Sequence, residues 1–134
     1  MATKVLDSWA LIAFFEDEPA AERVERLLVK AEAGTHNLLL CVVNWGEIYY
    51  NTMREVSQEA AEQQARAIAT LPIDIVGVGD DLTLARQAAI YKATHKMSYA
   101  DCFAAALAKD LKADVCTGDP EFRAVENDVR IIWI

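Results

Sequence analysis

The chain has 134 residues, of which 54% are hydrophobic and 25% are charged. This length and this apolar fraction predict one domain spanning residues 1–134 with a core of its own, and they exclude a disordered chain. The net charge of −8 and the pI of about 4.7 argue against a protein that coats duplex DNA through its overall field.

The N-terminus and the cysteines indicate a cytoplasmic protein. No basic stretch followed by a long apolar one opens the sequence, so we expect no signal peptide, and no apolar run has the length of a membrane span. Cys41, Cys102 and Cys116 lie in separate apolar runs and form no close pair. We interpret them as small buried hydrophobic residues in a reducing compartment.

Short apolar runs alternate with longer stretches of helical periodicity along the chain. Pro19 suits the first position of one helix, and Gly34 suits the residue just beyond its end. Ser57, Asp80 and Ser98 are each placed to cap a later helix. The predicted elements are strands at 5–6, 38–43, 73–78, 115–117 and 129–134, and helices at 8–15, 19–33, 45–56, 58–71, 81–95 and 99–111.

Strands that are separated by helices predict parallel pairing, because parallel neighbours need a crossover connection. The predicted fold class is therefore α/β, a three-layer α/β/α sandwich around a five-stranded parallel sheet. Ligands of such sheets bind beyond the carboxyl ends of the strands. Polar residues at those ends are the first candidates for a functional site.

Four carboxylates lie at the ends of predicted elements. Asp7 ends the first strand and Asp119 follows the fourth, so the sequence alone places both at the carboxyl edge of the sheet. Glu47 lies in the first turns of the helix after the second strand. Asp101 lies in the first turn after Ser98, and it reaches the same edge only if its helix begins there.

Each of these acids also has a purely structural interpretation. Asp7 can cap the first helix, and Asp101 is close to the spacing of a capping box. Glu47 can be a solvated helix residue, and Asp119 can belong to an ordinary turn. Against this, three of the four have apolar neighbours in the sequence, and an acid in apolar surroundings needs a partner or a metal.

Four carboxylates in one cleft repel each other, and a hard divalent cation removes that conflict. Oxygen ligands without Cys or His suit Mg²⁺ or Mn²⁺ rather than Zn²⁺. A magnesium ion that is held by a few acids keeps several waters and reaches a substrate phosphate. The chemistry that this set of acids predicts is the metal-assisted hydrolysis of a phosphodiester.

At these acids the sequence resembles the PIN-domain ribonucleases of the VapC toxin type. One LDS or TGD motif would be a weak signal, whereas four motifs in the right order and spacing are a strong one. The matching stretches are 6–11 (LDSWAL), 44–50 (NWGEIYY), 98–106 (SYADCFAAA) and 117–122 (TGDPEF). The resemblance therefore covers essentially the whole chain.

The resemblance implies which residues form the site. It assigns an acidic, catalytic metal site to Asp7, Glu47, Asp101 and Asp119.

Other positions carry smaller expectations. Thr117 matches a hydroxyl position that supports the metal site of the family, close to two of its acids. Ser8 and Asn44 match positions where polar side chains are common, and we expect them to support the ligands rather than to bind metal. Lys96 is a candidate contact for a substrate phosphate, although a solvated lysine near a helix C-terminus is an equally good interpretation. Trp9 departs from the family pattern, which often has a small polar residue there.

The resemblance also implies a function. It predicts a Mg²⁺- or Mn²⁺-dependent endoribonuclease that acts on RNA as the toxin of a type II toxin–antitoxin system, forms a homodimer and is blocked by a small antitoxin protein. The high apolar fraction and the aromatic residues at 14–15 and 45–50 also favour a homodimer. Aromatic residues at 45–50 can also stack on RNA bases, but a core or interface role is more common.

Two alternatives stay open at this stage. One is another Mg²⁺-dependent phosphoryl hydrolase, but Asp7 lacks the second aspartate of a dehalogenase-type phosphatase, and no acceptor aspartate ends the third strand as in a receiver domain. The other is a catalytically silent PIN-like interaction module. The presence of all four acids argues against a decayed site.

Overall fold

The computed structural model describes residues 1–134 and contains one sheet of five parallel strands in the order β3-β2-β1-β4-β5. The elements are β1 (Ala2–Leu6), α1 (Ser8–Phe15), α2 (Ala21–Glu32), β2 (His36–Cys41), α3 (Val42–Glu55), α4 (Gln58–Ala69), β3 (Ile73–Val76), α5 (Thr83–Thr94), α6 (Tyr99–Leu111), β4 (Asp114–Thr117), a 3₁₀ helix (Pro120–Val125) and β5 (Ile131–Trp133). The predicted fold class is confirmed.

In the inner strands β1, β2 and β4 the buried residues are apolar except for Thr117, because both faces of the sheet are covered there. Val5 and Val115 point to one face, where they pack with α5 and α6. Leu6, Leu40 and Cys116 point to the other face, where they pack with α1 to α4. Two cores therefore lie on opposite sides of one sheet, as the three-layer prediction requires.

All three cysteines lie in these cores. Cys41 and Cys102 belong to the core beneath α5 and α6, and Cys116 belongs to the core beneath α1 to α4. Each is buried and has no disulfide partner, so each packs as a small apolar residue, as predicted. No helix of the structure combines the length and the apolar composition that a membrane span requires.

Several helix boundaries follow from local signals. Helix α1 spans the predicted residues, and Ser57 and Ser98 cap α4 and α6 through hydroxyl oxygens that accept hydrogen bonds from the backbone N–H of Ala60 and Asp101. Gly34 follows α2 with a positive φ of 81°, a conformation that glycine adopts at little cost.

The roles predicted for Pro19, as the first residue of a helix, and for Asp80, as a helix cap, are wrong. A turn separates Pro19 from α2, which begins only at Ala21, so the proline precedes the helix. Leu82 has a left-handed backbone conformation, so α5 begins only at Thr83. The Thr83 N–H therefore donates a 3.2 Å hydrogen bond to the Asp81 carboxylate, and Asp80 does not cap the helix.

The predicted strand ends also need correction. Strand β2 ends at Cys41, and Val42 begins α3, although the apolar run continues to residue 43. The register pairs Leu6 at the end of β1 with Leu40, so the ladder between these strands has no partner further along. Strands β3 and β5 are shorter than predicted because each is a sheet edge that pairs on one side only.

The 3₁₀ helix is an element that the sequence analysis missed. Its Phe122 is fully buried and its Val125 is nearly so, and both belong to the core beneath α5 and α6. These two side chains hold the segment that follows β4 against the body of the protein. That segment begins at Asp119, one of the candidate site residues.

We predict that Phe122→Ala destabilises the protein by about 3–5 kcal/mol, because it removes a fully buried ring and leaves a cavity. Urea unfolding followed by circular dichroism measures the change. Phe14→Ala is the control, since Phe14 is only partly buried at the other core and its loss costs less. Equal losses in the two variants would contradict an anchoring role for Phe122.

A candidate metal centre at the sheet edge

The carboxyl ends of three strands lie at one edge of the sheet, and a helix begins directly after each. Asp7 is the N-cap of α1 after β1, and Asp119 is the N-cap of the 3₁₀ helix after β4. Glu47 lies near the start of α3, which follows β2 without a loop. The parallel topology therefore brings these acids to the same edge, as the sequence predicts.

Helix α6 begins at this edge as well. The side-chain amide of Asn44, in the first turn of α3, donates hydrogen bonds to the Ala100 carbonyl and to the Ser8 hydroxyl, each over 3.2 Å. The Ser8 hydroxyl in turn donates to the Asn44 carbonyl over 3.3 Å. Asn44 is fully buried and joins the starts of α1, α3 and α6, so Asp101 reaches the edge as its prediction required.

Thr117 connects two of the acids. Its hydroxyl donates a 2.6 Å hydrogen bond to Oδ2 of the buried Asp7 and accepts a 3.0 Å hydrogen bond from the backbone N–H of Asp119. The other Asp7 oxygen accepts from the Ala10 N–H over 3.0 Å. One Asp7 oxygen therefore caps α1, while the other is joined through Thr117 to the start of the 3₁₀ helix.

Three carboxylates form the tightest group. Asp101, Asp119 and Glu121 each place one oxygen within 4.8 Å of the others, which is close enough for a shared cation. Glu121 also accepts a 3.0 Å hydrogen bond from the Ser98 N–H at the start of α6. Glu121 lies in the matching stretch 117–122 but is not among the site residues predicted from the sequence. Its separation of two residues from Asp119, after a proline, is the signal that was available.

Burial and mutual repulsion raise the pKa values of two aspartates. Burial raises the pKa of Asp7 to about 7, despite the hydrogen bonds from Thr117 and Ala10, and the charge of Asp119 adds to the increase. Burial likewise raises the pKa of Asp101 to about 8, with further increases from the nearby charges of Asp7, Asp119 and Glu47.

The structure separates the remaining candidates from this group. Asp7 is fully buried and Glu47 is half-buried. Both act on Asp101 through their charges, but neither belongs to the three carboxylates within 4.8 Å. Lys96 is exposed and makes no hydrogen bond or ion pair. Trp45 stacks on Tyr49 with ring centroids 5.5 Å apart.

The donor set suits a hard divalent cation. The carboxylates that face each other offer only oxygen, and no histidine or cysteine joins them. A cation would offset the repulsion that raises the pKa of Asp101. The chemical character of the site therefore fits Mg²⁺ or Mn²⁺ better than a metal that prefers nitrogen or sulfur.

The sequence matches the PIN domain over residues 4–128, a range that includes the four predicted acids. The chain belongs to the PIN-domain family. No curated protein matches the sequence. The PIN-domain assignment thus comes from a pattern that spans nearly the whole chain.

Solved structures share this fold. The chain is similar to the DNA-bound VapBC of Salmonella typhimurium, with 17% identity, 98% of each chain covered and a TM-score of 0.73. It is similar to VapC20 of Mycobacterium tuberculosis, described as a sarcin–ricin loop cleaving toxin, with 16% identity, 91% of this chain and 94% of that chain covered, and a TM-score of 0.70. VapBC-5 of the same organism is 20% identical over 100% of both chains, with a TM-score of 0.66.

We predict that the metal-free protein loses stability as the pH rises. Because Asp7 and Asp101 have raised pKa values in the folded state, the folded protein binds more protons than the unfolded chain between their ordinary pKa and about 8. Their stabilising contribution is complete below the ordinary aspartate pKa, falls progressively as the pH rises, and is lost once the pH has passed 7 to 8. We expect a melting temperature lower by ~5 °C or more at about pH 8.5 than at about pH 5.5 in chelator.

Asp7→Asn should reduce this pH dependence and raise the melting temperature at the higher pH, because it removes one buried charge. Asp74→Asn, at an exposed position on the edge strand β3, is the matched control and should leave the dependence in place. The explanation fails if the two variants show the same pH dependence.

Proposed function

We propose that this PIN domain is a Mg²⁺- or Mn²⁺-dependent endoribonuclease and the toxin of a type II toxin–antitoxin system. The observation that carries the proposal is the group of carboxylates at the carboxyl edge of the sheet, three of which have oxygens within 4.8 Å of one another. Such a site has no evident structural purpose, since burying like charges destabilises the protein that contains them. A divalent cation gives the arrangement a use.

The proposed mechanism assigns a role to each acid. Asp101, Asp119 and Glu121 would hold the cation, and Asp7 would complete the site from the buried side. Glu47, half-buried at the start of α3, would face the substrate side and orient the attacking water. The bound cation would supply charge stabilisation for the phosphate and a lowered pKa for water.

Neighbouring polar groups would keep the acids in place. Thr117 holds Asp7 and the start of the 3₁₀ helix through its hydroxyl. Asn44 and Ser8 hold three helix starts together, which sets the separation between Asp7 and Asp101. Groups of this kind orient ligands without binding the metal themselves. Lys96, exposed two residues before the cap of α6, would contact a substrate phosphate.

Similarity to VapC20, which is described as a sarcin–ricin loop cleaving toxin, supports RNA as the substrate. Membership of the PIN family disfavours the phosphatase and receiver alternatives, which have other sequence patterns. A silent interaction module is the remaining alternative. The intact set of acids and the raised pKa of Asp101 favour a working site, since a module without catalysis has no need to bury them.

Asp7→Asn should lower RNA cleavage by about 100-fold or more, because it removes a charge that helps to hold the cation while keeping the shape of the side chain. Cleavage of single-stranded RNA with added Mn²⁺, and its absence with chelator, is the measurement. The circular dichroism spectrum should match the parent. An Asp7→Asn protein that cuts RNA at the parental rate would refute this role.

We also propose that a small antitoxin blocks the site with a basic side chain. A similar structure from Klebsiella pneumoniae is described as a toxin–antitoxin complex, and VapBC-5 of Mycobacterium tuberculosis is described as a member of a family of toxin–antitoxin systems. The carboxylates here form a strongly negative group within a chain of net charge −8, and a guanidinium can pair with two carboxylate oxygens at once.

Replacing the basic residues of the neighbouring gene's product one at a time by alanine should relieve inhibition at one position by about tenfold or more, because it removes a charge-assisted pair. Co-purification distinguishes lost inhibition from lost binding. If every variant still inhibits, the antitoxin acts by covering the carboxylate site and not by inserting a charge.

A homodimer is the proposed assembly, and its interface would lie on helix surfaces outside the carboxylate site. Helix α3 exposes apolar side chains at Val42, Tyr50 and Met53, whereas Phe14 and Phe15 are partly buried in the monomer. The exposed row on α3 is therefore a better interface candidate than the phenylalanines. Light scattering at micromolar concentration should give twice the monomer mass, and Met53→Glu should shift it to the monomer. A monomeric parent would contradict the proposal.

A further inference from the structure

A cleft of about 680 Å³ lies beside the carboxylate site, between α1, the start of α2 and the C-terminus. It is separate from the carboxylate group, and none of the acids discussed above lines it. Its lining includes Trp9, Ile12, Glu16, Glu18, Arg23 and Ile134. The cleft is large enough to hold a small molecule, and its walls combine apolar surface with a few polar groups.

Trp9 connects this cleft to the metal centre. A Cβ atom at Gly118 would lie 2.2 Å from Cη2 of the Trp9 indole and 2.6 Å from both Cζ2 and Cζ3. A Cβ that approached Cη2 within the plane of the ring would lie farther from the two Cζ atoms. The Cβ would therefore lie over the ring, so the indole presents its face to Gly118. Gly118 lies between Thr117 and Asp119, so the ring that lines the cleft also packs against the segment that carries Asp119.

The glycine is required by this contact. Gly118 does not have a positive φ, so its backbone conformation would accept another residue. The indole excludes a side chain there, because a Cβ would overlap the ring. Trp9 and Gly118 are thus a matched pair, and the tryptophan that departs from the family pattern occupies the space that the glycine leaves.

The charge of the cleft indicates what it can bind. Glu16 and Glu18 carry two exposed negative charges, and the single cation, Arg23, donates a hydrogen bond to the Trp133 carbonyl over 3.2 Å. A phosphate is disfavoured by this balance. An uncharged nucleobase is compatible with it, since an aromatic ring offers stacking and a carboxylate accepts a hydrogen bond from an exocyclic amino group.

We propose that the cleft is a subsite for one unpaired nucleobase of the RNA, in the nucleotide next to the cleaved phosphodiester, and that it favours bases with an exocyclic amino group. This inference rests on the proposed nuclease function. The base stacks on or against Trp9, and Glu16 or Glu18 accepts the amino hydrogen. Adenine, cytosine and guanine satisfy this requirement, and uracil does not.

Cleavage of a random-sequence single-stranded RNA pool with Mn²⁺, followed by sequencing of the ends, tests the subsite. We expect uracil to be depleted by about tenfold at one position beside the cut. Trp9→Leu should abolish this depletion and raise KM for a preferred oligonucleotide by about tenfold, with kcat within about twofold, because leucine covers Gly118 but offers no stacking face.

Matched variants separate the subsite from general effects. Trp45→Leu removes an indole that stacks on Tyr49 and does not line the cleft, so the base preference should persist. Glu16→Gln and Glu18→Gln should together reduce the depletion of uracil. Asp17→Asn is the control for these two variants, because it removes a charge at a residue that does not line the cleft, and the base preference should persist. The φ of 52° at this position is one that asparagine adopts readily.

The outcomes distinguish this inference from the function on which it rests. No base preference in an active parent, or equal effects of Trp9→Leu and Trp45→Leu, overturns the subsite. The subsite is also overturned if Trp9→Leu keeps the parental base preference but binds the antitoxin more weakly, because the cleft would then be a protein-docking site. A parent that cuts no RNA overturns the nuclease proposal. Intact adenylate, cytidylate and uridylate octamers then test the subsite by fluorescence anisotropy, and equal affinity for all three refutes it.

Discussion

Asp7 and Asp101 are buried at the edge where the strands end, and the charge of Asp7 raises the pKa of Asp101. Much of the surrounding structure can be understood from this repulsion. A protein that places several acids together must either neutralise them with protons or bind a cation. The first solution leaves a less stable protein at neutral pH, and the second turns an unfavourable cluster into a binding site for a hard metal.

The polar residues around the acids resist this repulsion by fixing the backbone from which each acid projects. Thr117 connects the ends of β1 and β4 through its hydroxyl, and Asn44 connects the starts of α1, α3 and α6. These segments are far apart in the chain, so the contacts close long loops and form only in the folded protein. The Asn44 Oδ1 atom is the one buried side-chain polar atom without a hydrogen-bond partner.

The contact between Trp9 and Gly118 joins the acidic edge to a second surface of different character. On one side the acids need a cation, and on the other an indole, aliphatic side chains and two glutamates enclose a cleft. A nucleic acid bound by this face would place its charged backbone and its bases in different environments. Division of labour between phosphate and base contacts is the usual basis of sequence preference in nucleic-acid binding.

Local patterns in the sequence by themselves determined the α/β class, the bounds of α1, the caps at Ser57 and Ser98, and the placement of Asp7 and Asp119 at one edge, because periodicity, capping and strand ends are short-range properties. Tertiary structure decided the rest. Strand β2 continues past its last partner in β1 because Cys41 pairs with Val76 of β3, and the approach of Glu121 to Asp101 depends on the 3₁₀ helix that Phe122 holds in the core. Both are contacts between distant segments, and no local pattern encodes which distant atoms meet.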